Sequence, residues 1–110
     1  MGLDITFTRR KKIVCPKCGE LIGSTVVDAV YGSGRGWYPL LESIGYYVPY
    51  EQRTEENDWY GKDMVLTKEQ QNEAFIFVAS HSDLYGAQGV KVLLATASTE
   101  QEDVVVYADW

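Results

Sequence analysis

The sequence predicts an α+β domain, a small, mostly antiparallel sheet with two or three helices packed on one face. Three observations carry that expectation. The first residues alternate apolar and polar with period two. A capped run with helical spacing occupies 67–80. A block of β-branched residues stands near the end of the chain. A chain of 110 residues is read as one domain. Within it lie N-terminal strands with a Cys-Pro-Lys-Cys-Gly turn (1–31), an aromatic-rich loop with a short helix (32–62), and a helix with a C-terminal strand (63–110).

Each element has a local reason. Leu3, Ile5 and Phe7 alternate with Asp4, Thr6 and Thr8, the pattern of a half-buried strand. Lys11–Val14 continue it or begin a second strand. Cys15–Gly19 form a tight turn, and Glu20–Tyr31 read as extended, with Gly23 a bulge or kink. The cysteines therefore stand at the tip of a hairpin. Gly32–Gly36 are a flexible loop. Pro39 suits the first turn of a short helix that ends at Gly45, with Leu40, Leu41 and Ile44 facing inward. Val48–Asp63 is a long polar loop, a length that in a compact domain often carries function. Thr67 and Gln70 make a capping box, and Glu69 complements the helix dipole. Behind them Ala74, Phe75 and Val78 form an inward stripe, broadened by Ile76 and Phe77. His81–Gly89 is a connection or the start of another helix. Val90, Leu93, Leu94 and Ala97 suit a helix, while their β-branched neighbours allow a strand. A turn over Ser98–Asp103 leads to a final buried strand, Val104–Trp110, beside the first.

Composition bounds the function. Hydrophobic residues make up 45% of the chain, which argues for a folded globule. No apolar run reaches the roughly 18 residues a membrane span needs. The basic run of "MGLDITFTRRKK" follows its apolar stretch, the reverse of a secretory leader, so the protein is expected in the cytoplasm. There a cysteine pair is expected to be reduced, metal-bound or redox-active. Charge is uneven. Residues 1–18 hold Arg9, Arg10, Lys11, Lys12 and Lys17 against Asp4 alone, yet the whole chain carries −6. The acidic remainder repels phosphate and argues against a nucleic-acid partner. The basic run is either a solvated strand end or a contact for an acidic partner.

Cys15 and Cys18 are the only cysteines. Two intervening residues let both thiolates reach one ion from a single turn. Pro16 stiffens that turn, and Gly19 supplies a positive φ as the chain reverses. Cys15–Gly19 resembles the knuckle of zinc-ribbon and rubredoxin-like modules, which implies zinc as cofactor. Those modules carry a second Cys-x-x-Cys, and this chain has none. Three completions stay open. His81 with Asp83 nearby could join the pair, two chains could pool their cysteines in a homodimer, or the turn could serve the fold without metal. A thiol-based or zinc-dependent enzyme using Cys15, Cys18 and His81 is a further reading, as is a nucleic-acid-binding zinc knuckle. The β-branched segment after Cys18 is a poor helix, unlike the helix that follows a glutaredoxin thiol pair.

Aromatic residues crowd the middle of the chain. Trp37, Tyr46, Tyr47, Tyr50, Trp59 and Tyr60, interleaved with Arg35 and Arg53, are the residue types that dominate protein-binding hot spots. They form either a surface for a protein partner or a core filled by large rings. Glu51, Glu55, Glu56 and Asp58 lack the spacing of a calcium loop, and "GSGRG" lacks that of a phosphate loop. The opening "MGLDI" and the mixture "GRGWYPLLESIGYYVPY" with "TEENDWYGKDM" resemble short proteins of phages and prophages of gut-type bacteria. That resemblance implies an accessory binder. The expected function is thus a small binding module with a structural Cys-x-x-Cys turn and an aromatic, acidic protein-binding surface.

Overall fold

The computed structural model of the chain describes residues 3–96 and 102–109. Four antiparallel strands, β1 (Asp4–Val14), β2 (Leu21–Ser33), β3 (Met64–Val65) and β4 (Glu102–Asp109), form one sheet in the order β2-β1-β4-β3. Three helices, α1 (Tyr38–Ser43), α2 (Lys68–Ser80) and α3 (Ala87–Thr96), complete the α+β architecture. The expected pairing of the last strand with the first is present, from Asp4 opposite Asp109 to Lys11 opposite Glu102. The expected inward Ala97, the turn over 98–101 and the strand end at Trp110 lie outside the described residues.

The sheet has one core face. Leu3, Ile5 and Phe7 bury there, and opposite them on β4 stand Val106 and Ala108, also buried. Trp37 fills the centre of this layer, its ring 5.8 Å from Phe7 and 5.9 Å from Phe77. Its indole N–H donates to the Tyr85 carbonyl at 3.2 Å, which satisfies the one polar atom of a buried ring. In α2 the Thr67 hydroxyl accepts from the Gln70 N–H at 3.2 Å, and the Gln70 side chain accepts from the Thr67 N–H at 2.9 Å, the reciprocal box that the sequence predicts. Segment 90–96 resolves as helix. Ala87, Val90 and Leu93 are buried at three-residue spacing, so packing of that stripe outweighs β-branched content. Gly86 makes the approach to β2 feasible. Its φ is 90°, and a Cβ there would meet the Tyr31 carbonyl oxygen at 2.5 Å.

Two residues expected on a partner surface belong to the core instead. Trp37 is enclosed as described, and Tyr46 is buried under the loop that leads to β3. The Tyr46 hydroxyl donates to the Lys62 carbonyl at 2.6 Å and accepts from the Ala108 N–H at 2.8 Å. A ring of that size with both hydroxyl functions satisfied inside the fold stabilises more than it could by facing water. It also ties the long loop to β4. β3 escaped the sequence reading because two residues carry no periodicity.

Tyr46→Phe strands the Ala108 N–H and the Lys62 carbonyl, and should lower the unfolding free energy by about 1–3 kcal/mol in urea titration. Burial raises the Tyr46 phenol above its usual 10.0. The folded state therefore holds that proton more tightly than the unfolded chain. Its contribution is complete below pH 10 and is lost as pH climbs past the raised value, so the wild type should lose stability there more steeply than the Phe variant.

Candidate functional site

Among the described residues β1 and β2 outrun the rest of the sheet. There β4 accompanies β1 as far as Lys11, while β1 and β2 stay paired to Val14 opposite Leu21. Among the described residues, Lys12 to Ser24 form a two-stranded ribbon, an arm of a structure whose overall extents are 47 × 33 × 24 Å. Register shifts between Arg9 and Arg10 and between Ile13 and Val14 mark bulges at Val27 and Ile22, next to the expected Gly23.

The root of the arm is fixed by its basic residues. Arg9 pairs with Glu102 at 2.8 Å, both partly buried, and donates to the Thr96 hydroxyl at the end of α3. Arg10 pairs with Asp63 at 3.1 Å, and Lys12 with Asp103 at 3.6 Å. The run that reads in sequence as a solvated end or a partner contact is thus largely engaged by the protein's own carboxylates.

At the tip, Cys15 and Cys18 are close and neither is in a disulfide. The Cys15 N–H donates to the Glu20 carbonyl at 2.8 Å, and the Gly19 N–H to the Cys15 carbonyl at 2.9 Å. Gly19 takes φ 73°, the conformation expected of it. The Cys15 thiol is lowered from its ordinary value, chiefly by the backbone N–H of Cys18, then by that of Lys17 and by the Cys18 side chain. Such a turn fits half of a zinc shell. His81 does not supply the other half. It ends α2, its Nδ1 lies 2.9 Å from the Phe77 carbonyl, and its ring stacks on Phe77 at 4.2 Å. Among the described residues no three of His, Cys, Asp and Glu gather around one point. The expected trio of Cys15, Cys18 and His81 is therefore not assembled within a chain, because the cysteines ride on the arm and the histidine caps a helix of the body.

A second surface lies at the other end of β4. Gly61 N–H donates to the Ala108 carbonyl there, which anchors the long loop. Arg53 donates through Nε and Nη2 to the Val48 carbonyl, at 3.2 and 2.9 Å, and lies over the Tyr47 ring, itself edge-on to Tyr38. Asn57 braces the segment by accepting from the Thr54 N–H at 2.6 Å and donating to the Gln52 carbonyl at 3.2 Å. Around a shallow depression of about 570 Å³ stand Tyr50, Glu51, Arg53, Thr54, Glu55 and Asp58. Tyr50 is 84% exposed. Of the expected partner-binding set, Arg35, Tyr50 and Tyr60 are exposed, while Tyr47, Arg53 and Trp59 are half-buried.

The open face of the sheet was missed in the sequence. Val14, Leu21, Val26 and Tyr31 share the face opposite the helices, and Val65 and Tyr107 extend it across β3 and β4. Their period-two spacing was visible, but alternation alone does not say which face is covered. No helix among the described residues is long and apolar enough to cross a membrane. Comparison with protein-family models, with curated proteins and with solved structures finds no match.

Arg9→Ala removes the 2.8 Å ion pair with the partly buried Glu102 and the hydrogen bond to Thr96. We expect an unfolding free energy lower by about 1–3 kcal/mol, read from denaturant midpoints, with Lys11→Ala changing it by less than about 0.5 kcal/mol.

Proposed function

We propose that the protein is a small binding module that acts without chemistry of its own and receives a positively charged segment of a protein partner on the aromatic, acidic loop. The observation that carries this reading is Tyr50, a large ring held out in water at 84% exposure on a loop braced by side-chain to backbone hydrogen bonds. An ordered loop loses little entropy on binding. A tyrosine face attracts guanidinium and ammonium groups, and the carboxylates of Glu51, Glu55 and Asp58 beside it offer charge-assisted hydrogen bonds. Arg53, which also borders the depression, is held by the Val48 carbonyl and the Tyr47 ring, and its single charge is outnumbered there by the carboxylates of Glu51, Glu55 and Asp58. The chain's net charge of −6 would draw such a partner from a distance. Within this reading the protein works in the cytoplasm as an accessory of phage or prophage type.

An arginine-rich peptide is the probe. Calorimetric titration should give binding that weakens as salt rises from about 0.05 to about 0.5 M. Tyr50→Ala combined with Glu51→Gln and Glu55→Gln should weaken it at least tenfold, about 1.4 kcal/mol. Glu42→Gln with Glu69→Gln removes the same charge elsewhere and should change affinity less than twofold. Equal losses in both variants, or no binding at low salt, would contradict the proposal.

A further inference from the structure

The arm presents two incomplete features at once. Its tip carries half of a zinc shell, with two thiols and no third ligand beside them among the described residues. The outer face of the arm and of the sheet at its root carries exposed apolar side chains, Leu21 at 59% and Val26 at 58% exposure among them, with nothing over them among the described residues. Val14 pairs directly with Leu21, so the apolar surface runs up to the residue that precedes Cys15. Exposed apolar area of this kind on an ordered sheet marks an interaction surface.

The charges of that face select the occupant. Arg10 with Asp63 and Lys12 with Asp103 are matched in place, and Tyr31 donates to Asp4. Next to the knuckle the ions of this face are thus compensated in place, offer little to a charged partner and do not repel their own duplicates, while the carboxylates of Asp4 and Asp109 stand opposite each other at the far end of β1 from the tip. Two-fold contacts join one patch to itself. An axis running along the arm places outer face on outer face and brings both tips to the same end. Packed sheets lie about 10 Å apart. Half of that gap is a distance that a cysteine side chain and a Zn–S bond of about 2.3 Å cover together. Tetrahedral zinc then receives two thiolates from each chain, and four thiols release four protons on binding.

We propose that two copies of this chain pack outer face to outer face about an axis along the arm, and that Cys15 and Cys18 of both copies bind one zinc ion between the paired tips. The aromatic loop lies at the opposite end of β4, so this site and the proposed cationic-segment site stand or fall separately. Zinc here is structural: it closes the dimer and leaves no open coordination position for catalysis.

The test uses reduced, metal-free, full-length protein titrated with zinc and followed by native mass spectrometry. One zinc per two chains is expected, with all four thiols shielded from alkylation. Cys15→Ser with Cys18→Ser should abolish zinc uptake. Leu21→Lys with Val26→Lys keeps the thiols, introduces like charges across the axis at solvent positions, and should weaken both dimerisation and zinc affinity at least tenfold with the circular dichroism of the fold unchanged. One zinc on a single chain, no zinc retained at micromolar concentration, or a zinc-bound dimer indifferent to the two lysines would each overturn the proposal. Arginine-peptide binding should persist in all these variants, which separates failure here from failure of the loop reading.

Discussion

The double pairing of β1 is the constraint on which the rest of the structure depends. From Asp4 to Lys11 this strand is hydrogen-bonded on both sides, to β2 and to β4. Its inward residues, Leu3, Ile5 and Phe7, meet Trp37, and Trp37 meets Phe77 on α2. The helices thus assemble against one strand and its neighbours. Past Lys11, β2 alone among the described residues remains beside β1, and the same chain becomes an arm. One strand divides into a rooted half and a projecting half, and Arg9 sits at the division, clamped to Glu102 and Thr96.

That division sets what each end can do. At the rooted end Tyr46 links the long loop to β4 through its hydroxyl, and the loop above it is braced by Arg53 and Asn57. A ring such as Tyr50 can then be held in water without the loop collapsing over it. At the projecting end the backbone is short of partners and the side chains are apolar, an arrangement that in soluble proteins is resolved by association. The knuckle adds the Cys15 thiol, whose neighbouring N–H groups favour its charged form. The two proposed sites lie at opposite ends of this division, recognition of a cationic segment at one and self-association through zinc at the other.

Much of the fold was legible in the sequence because local signals agreed with tertiary packing. The Thr67–Gln70 box, Pro39 and Gly45 around α1, and the alternation of Leu3, Ile5 and Phe7 each carry their own physical reason, and each element formed. The site was less legible. Trp37 and Tyr46 have the composition of a hot spot, but type does not fix exposure, and Trp37 became the ring on which the core closes. The turn at Cys15–Gly19 was readable from five residues, whereas the separation of His81 from it depends on how far β1 outruns β4. That is a long-range property, set by how β1 pairs with β2 and β4. The open outer face was hidden for the same reason, since period two marks both faces of a strand alike.

Native-state amide hydrogen exchange, residue by residue, tests the division of β1 most directly. Slow exchange, close to the global unfolding limit, is expected for the paired amides of β1 between Ile5 and Lys11, with protection falling at least a hundredfold for those between Ile13 and Leu21 in the metal-free protein. Uniform protection along β1 and β2 out to the knuckle, in metal-free monomer, would contradict it. That result would mean that the arm is packed against the body and that the chain has no projecting half.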